Sequence, residues 1–190
     1  MNPPAAVADA THGAPASADR LAQLEARLAR FEAEHAIRAC LKRYMALCDA
    51  LDAATPLDEL ASLFTRGATW AGKGGRYGAT FGGYAGRDEI AAMFRRYMRT
   101  PAHFAFNAHF LTSELIEVES EGRARGGWLM LQTSTFASGA SQLSAARLSV
   151  GFAVEDGRWR IDRFETEALF SRPVDHWDAS APLPVPAADA

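Results

Sequence analysis

Lysine is almost absent from this chain: in 190 residues it occurs only as Lys42 and Lys73, and acids outnumber bases by 23 to 20. Nucleic-acid binding needs a dense basic footprint, so no nucleic-acid partner is expected. Cysteine is equally scarce. Cys40 and Cys48 lie on one helical segment, where a rise of about 1.5 Å per residue sets their backbones roughly 12 Å apart, too far for a disulfide. They read as small core residues in a reducing cytoplasm. No Cys/His cluster has the spacing of a structural zinc site, and neither a metal nor an organic cofactor is expected. No apolar run approaches the length of about eighteen residues that crosses a bilayer, so no membrane partner is expected either.

What is present suits one soluble globular domain: 48% hydrophobic and 23% charged residues, with a net charge of −3. The opening MNPPAAVADATHGAPASA lacks the positive segment and continuous apolar core of a secretory signal. Its Ala, Pro and small polar residues predict disorder over residues 1–18. SAPLPVPAADA has the same character, which leaves a domain over 19–172 and an extended tail over 173–190.

From Asp19 the hydrophobic period is helical. Leu21, Leu24, Leu28 and Phe31 form a first stripe; Ile37, Leu41, Tyr44, Cys48 and Leu51 form a second. The first stripe is short for a coiled coil and is expected to pack on its own domain or on a sister chain. TPLDELASLF predicts a short helix, with Thr55 as N-cap, Pro56 at the first position and Asp58 at the third. GATWAG reads as a strand and GKGGRYGATFGGYAG as a glycine-rich, mobile connection. GRDEIAAMFRRYMR gives a further helix with Ile90, Met93, Phe94 and Tyr97 on one side.

After Phe106 the period becomes two. Strands are predicted over 106–118, 124–136, 141–154 and 158–170, separated by ESEGR, ASGAS and EDGR, as in an antiparallel meander. Helices first and long strands after imply an α+β fold with the helices gathered on one face of a curved sheet.

The phrases IRACLKRYMALCDALD, LASLFTRGATW, YAGRDEIAAMF, AHFLTSELIEV and DGRWRIDRF, in that order, resemble the SnoaL-like proteins of the nuclear transport factor two-like superfamily over roughly residues 20–170. The resemblance implies a cone-shaped α+β barrel whose curved antiparallel sheet and N-terminal helices enclose a deep, mostly apolar pocket. Relatives include scytalone and bile-acid dehydratases, dehydrochlorinases, ketosteroid isomerases, polyketide cyclases and the non-catalytic small subunits of ring-hydroxylating dioxygenases. A fold of this breadth does not choose a function.

In the dehydratase-like branches an aspartate late in the first long helix pairs with a histidine on a strand. By position these are Asp49 in LCDALD and His109 in NAHFL, and a tyrosine five residues before the aspartate, as in bile-acid dehydratases, is Tyr44. A carboxylate beside an imidazole fixes its tautomer and stabilises its charged form, so the ring can accept a proton; a tyrosine can donate to a substrate oxygen. Helical geometry alone points elsewhere: Tyr44 and Asp49 differ by about 140° of rotation, Asp49 falls near Arg38 and Lys42, and Asp52 lies closer to the apolar stripe. Asp49 and Asp52 thus remain alternative partners. His109 shares a strand face with Asn107, Leu111, Ser113 and Leu115. His103 reads as a pocket rim or surface group, and His176 as part of a tail segment.

Two features depart from the family. GGWLMLQTS holds no second histidine of the scytalone-dehydratase kind, and 124–136 holds no aspartate of the bile-acid-dehydratase kind. Strand alternation puts Trp128, Met130 and Gln132 on one face, and Trp70, Tyr84, Met93, Phe94 and Phe110 are further candidates for the pocket wall. Arg147 either meets a ligand carboxylate or faces water. The run 72–86 lacks the Gly-Lys-Ser/Thr of a phosphate loop and reads as a lid or a surface loop. With these features, the resemblance implies a cofactor-independent lyase or isomerase acting on a hydrophobic cyclic small molecule by His/Asp acid–base chemistry, as a homodimer or higher homo-oligomer. The alternative is a non-catalytic ligand-binding module or small subunit of the same fold.

Overall fold

The computed structural model describes residues 14–174; His12 and His176, and with them most of the predicted N-terminal segment and C-terminal tail, lie outside the described residues. Helix α1, Ala14–Asp49, starts ahead of the hydrophobic period. Its second stripe is the one that folds the domain: Ile37, Leu41, Tyr44, Met45, Cys48 and Leu51 are all buried. The first stripe is covered by none of the described residues of its own domain, and Leu21, Leu24, Leu28 and Phe31 stay exposed.

After α1 the chain turns on itself. Asp52 Oδ1 accepts from the Ala54 backbone N–H at 2.8 Å, and the Thr55 hydroxyl donates to the Ala50 carbonyl at 2.8 Å. Thr55 therefore stitches this turn and does not cap the next helix. Helix α2 is Leu57–Ser62, and its N-cap position is Pro56, with no side-chain cap. Strand β1, Phe64–Lys73, follows.

The glycine-rich run is a second correction. It folds into helix α3, Gly74–Phe81, and strand β2, Gly83–Ala85. A Cβ at Gly72 would collide with the Tyr77 carbonyl, so glycine is what lets α3 fold back on β1. Packing rather than local propensity holds the helix, with Phe81 edge-on to Trp70 at 5.8 Å. Helix α4, Arg87–Arg95, buries Ile90, Met93 and Phe94.

Strands β3 (Phe104–Ser120), β4 (Arg123–Phe136), β5 (Ser141–Glu155) and β6 (Arg158–Val174) form the expected antiparallel meander. Strand β1 adds to β6 in parallel, and the order is β2-β1-β6-β5-β4-β3. The curved sheet is thus open, with β2 and β3 at its edges. Inward residues of β4 to β6, among them Met130, Leu148, Val150, Phe152, Ile161 and Phe164, meet α1 to make the core.

Strict alternation fails at three places in β3, where the register with β4 shifts near Phe104, Ser113 and Val118, and the middle one matters most for the inward face. Ser113 has φ 51°, and the register with β4 shifts between Thr112 and Leu115. This bulge turns Leu115 outward and brings Ile116 and Val118 to the core, so the face predicted for Ser113 and Leu115 ends at Leu111.

Candidate active site

Strand β3 is an edge, so alternate backbone groups along it have no neighbouring strand. Asp49, at the last position of α1, fills one such vacancy: its Oδ1 accepts the backbone N–H of His109 at 3.0 Å. The same oxygen lies 2.6 Å from His109 Nδ1. A carboxylate this close is matched by a proton on Nδ1, which leaves Nε2 unprotonated in the neutral ring. Nε2 has no hydrogen-bond partner among the described residues. The imidazole is largely covered, at 11% exposure, whereas Asp49 keeps 31%.

His109 lines an open-mouthed cavity of about 270 Å³ bounded by α1, α3, α4 and the inner face of the sheet. Asp49 does not line it and borders a surface groove between α1 and β3, beside Arg38 and Lys42. The rotation between Tyr44 and Asp49 thus has a structural answer: Tyr44 faces the cavity, while Asp49 reaches around the strand edge and holds the ring from behind. Asp52 is committed to its own turn, where Oδ1 also accepts the Thr55 hydroxyl at 3.2 Å.

The Tyr44 hydroxyl accepts the Trp70 Nε1–H at 3.1 Å and neighbours Cys48. Its ring is boxed edge-on by Phe64, Phe94 and Phe164. Burial pushes its pKa well above the usual tyrosine value, so the group stays protonated and can serve as a donor.

Of the predicted wall residues, Trp70, Tyr84, Met93, Phe94, Met130 and Gln132 line the cavity. Trp128 and Phe110 do not; both border the outer groove. Trp128 shares the inward face with Met130 but lies farther along the strand, over Gly126, with its Nε1–H donated to Glu114 at 3.3 Å. Phe110 points the opposite way from His109, as adjacent strand residues must, and is half exposed. Arg147 is exposed and faces water. His103 stands outside the cavity: its Nδ1 is 3.0 Å from Arg99, and partial burial and the Arg99 charge lower its pKa.

The structure adds residues that the sequence reading did not assign to the site. Asn107 is buried beside His109; it accepts from Gln132 Nε2 at 2.9 Å and Ser134 at 2.8 Å, and donates to the Cys48 carbonyl at 3.2 Å. Its place on the His109 face was the available signal. Tyr77, Thr80 and Phe81 come from α3, which the glycine content concealed. Arg96, stacked over the Tyr84 ring at 5.8 Å, is the cation of the cavity wall. Among the described residues no three His, Cys, Asp or Glu side chains converge as a metal site would require, and no helix is long and apolar enough to cross a membrane.

The fold is shared with solved structures of known description. Hexachlorocyclohexane dehydrochlorinase LinA-type3 from Novosphingobium barchaimii LL02 superposes with a TM-score of 0.66 at 19% identity, over 82% of this chain and 99% of that one. A scytalone dehydratase-like protein of Novosphingobium aromaticivorans DSM 12444 gives 0.64 at 17% identity, over 76% and 89%. An NTF2-like protein with a cystatin-like fold from Novosphingobium aromaticivorans gives 0.59 at 27% identity, over 78% and 90%. No curated protein sequence matches the chain. Residues 29–165 match the SnoaL-like domain, a span that holds the helix end, the edge strand and the cavity wall described above. The chain belongs to the SnoaL-like domain family, within the NTF2-like superfamily.

Proposed function

We propose that this protein is a cofactor-independent lyase or isomerase that acts on a hydrophobic cyclic small molecule. The observation that carries the reading is the 2.6 Å contact between Asp49 and Nδ1 of an imidazole that lines an apolar cavity. Nε2 of His109 takes a proton from a substrate carbon next to a carbonyl. The C–H electron pair becomes the enolate, and its collapse either expels a β-hydroxyl, which takes the proton from the His109 imidazolium and leaves as water, or takes that proton back at another carbon. Asp49 orients the ring and stabilises the imidazolium. Tyr44 donates to the substrate oxygen, where charge develops in the transition state.

At about 270 Å³ the cavity suits a small ring system, with Trp70, Phe94 and Phe164 offering flat apolar contact. The free cysteines suit a cytoplasmic setting, and the expected protein partner is a second copy of the chain. Lyase names among the structural neighbours agree with this chemistry. The test is deuterium exchange. Wild-type protein in D2O, offered a panel of cyclic β-hydroxy and β,γ-unsaturated ketones, should incorporate deuterium next to the carbonyl. His109→Ala should lose about 10²-fold or more of that rate with its melting temperature nearly unchanged. Ligand binding with no exchange on any member would identify a non-catalytic binding module instead.

A further inference from the structure

We infer that residues 17–34 of α1 form a parallel, two-stranded coiled coil with the same segment of a second copy. Residues 17–32 are exposed without a break, so among the described residues the rest of the domain does not cover this arm. Isolated helices of that length are marginal in water, and most draw their stability from packing an apolar face. The arm has such a face: Leu21, Leu24, Leu28 and Phe31 are 57%, 50%, 58% and 61% exposed. Their spacing of three, four and three residues is the alternation of positions a and d of a heptad. The seam is also narrower than the broad apolar stripe by which a helix docks on a globular core.

The charges name the occupant and its direction. With Leu21 and Leu28 at a, Arg20 and Arg27 fall at g, and Glu25 and Glu32 at e. In a parallel pair each g residue meets the e residue five positions later on the partner helix. Arg20 then faces Glu25, and Arg27 faces Glu32, on both sides of the seam. An antiparallel pair would set g against g and e against e, opposing arginine to arginine and glutamate to glutamate. Among the described residues none of these four side chains has an ion-pair partner, although the neighbouring Arg30, Glu34 and Arg38 do. The arm mostly precedes the region that matches the family, so this device is an addition to the shared domain.

Analytical ultracentrifugation of the full chain tests the inference. Wild type should sediment as a dimer at high micromolar concentration, and Leu24→Glu/Leu28→Glu as a monomer with the melting temperature of the domain kept. R20E/R27E and E25R/E32R should each be monomeric alone and form a dimer when mixed. Leu21→Cys should cross-link to itself under mild oxidation, as only a parallel, in-register seam permits, since the native cysteines are buried. A wild-type monomer would overturn the inference, as would a dimer indifferent to the Leu24/Leu28 change, which would place the contact on the sheet. A dimer that needs the arm but leaves Leu21→Cys unlinked would overturn the parallel arrangement.

Discussion

Asp49 Oδ1 lies 2.6 Å from His109 Nδ1 and 3.0 Å from the backbone nitrogen of the same residue. One carboxylate oxygen therefore fixes both the ring and the strand that carries it. The helix end and the sheet edge are joined at the point where chemistry is proposed, and the two acids of LCDALD divide their duties accordingly.

Asp49→Asn removes the charge while keeping the side-chain size. Turnover on any substrate found by the exchange assay should fall about 10²-fold or more, because the imidazolium loses its counter-charge. The structural cost should be small, about 1 kcal/mol, since the carboxylate is partly solvated. Asp52→Asn should leave turnover unchanged. Steady-state kinetics beside urea denaturation separates the two acids.

Tyr44→Phe leaves the Trp70 Nε1–H buried without its acceptor. Stability should fall by about 1–3 kcal/mol, the cost of a buried donor left unpaired. A red or blue shift of Trp70 emission should accompany it, and the turnover rate should fall while the cavity keeps its shape. Unchanged turnover would remove Tyr44 from the proposed chemistry and leave it as part of the aromatic core.

Alkaline pH should unfold the domain. Burial pushes the Cys48 thiol up to about 12 and the Cys40 thiol up to about 11, from an ordinary value of 9.0. Above 9.0 the unfolded chain releases protons that the folded chain retains. The stabilisation is therefore complete below 9.0 and is lost as pH rises through 11 towards 12. Urea midpoints measured from neutral pH upward should decline across that window, and Cys48→Ser should flatten the decline.

Gly126→Ala should be costly, because a Cβ there would collide with the ring of Trp128. Overpacking of this kind destabilises by about 1–3 kcal/mol. The displaced indole would also strain its hydrogen bond to Glu114. Chemical denaturation with tryptophan fluorescence reads both effects, and turnover should survive because Trp128 stands outside the cavity.

The four long strands were legible because period-two alternation runs nearly unbroken between clear turn signals, and the second stripe of α1 because its buried residues repeat at helical spacing. The exceptions have local causes. Ser113 in the left-handed region shifts the inward set of β3 by one residue, which alternation cannot anticipate. Helix α3 was hidden because the glycines of the run read as flexibility, whereas Gly72 at the end of β1 serves the close approach of the helix, a tertiary fact that composition does not report. Helical angles favoured Asp52 over Asp49; they describe direction from the helix axis, and Asp49 meets its partner at an edge strand beyond the helix end.

Nitrogen-15 NMR of the His109 ring at neutral pH, with and without a cyclic ketone, reads the two ring nitrogens separately. The ring should carry a proton on Nδ1 and none on Nε2, with a change confined to Nε2 when the ketone fills the cavity. A proton resident on Nε2, or a ring indifferent to any ligand that binds, would contradict the role proposed for His109.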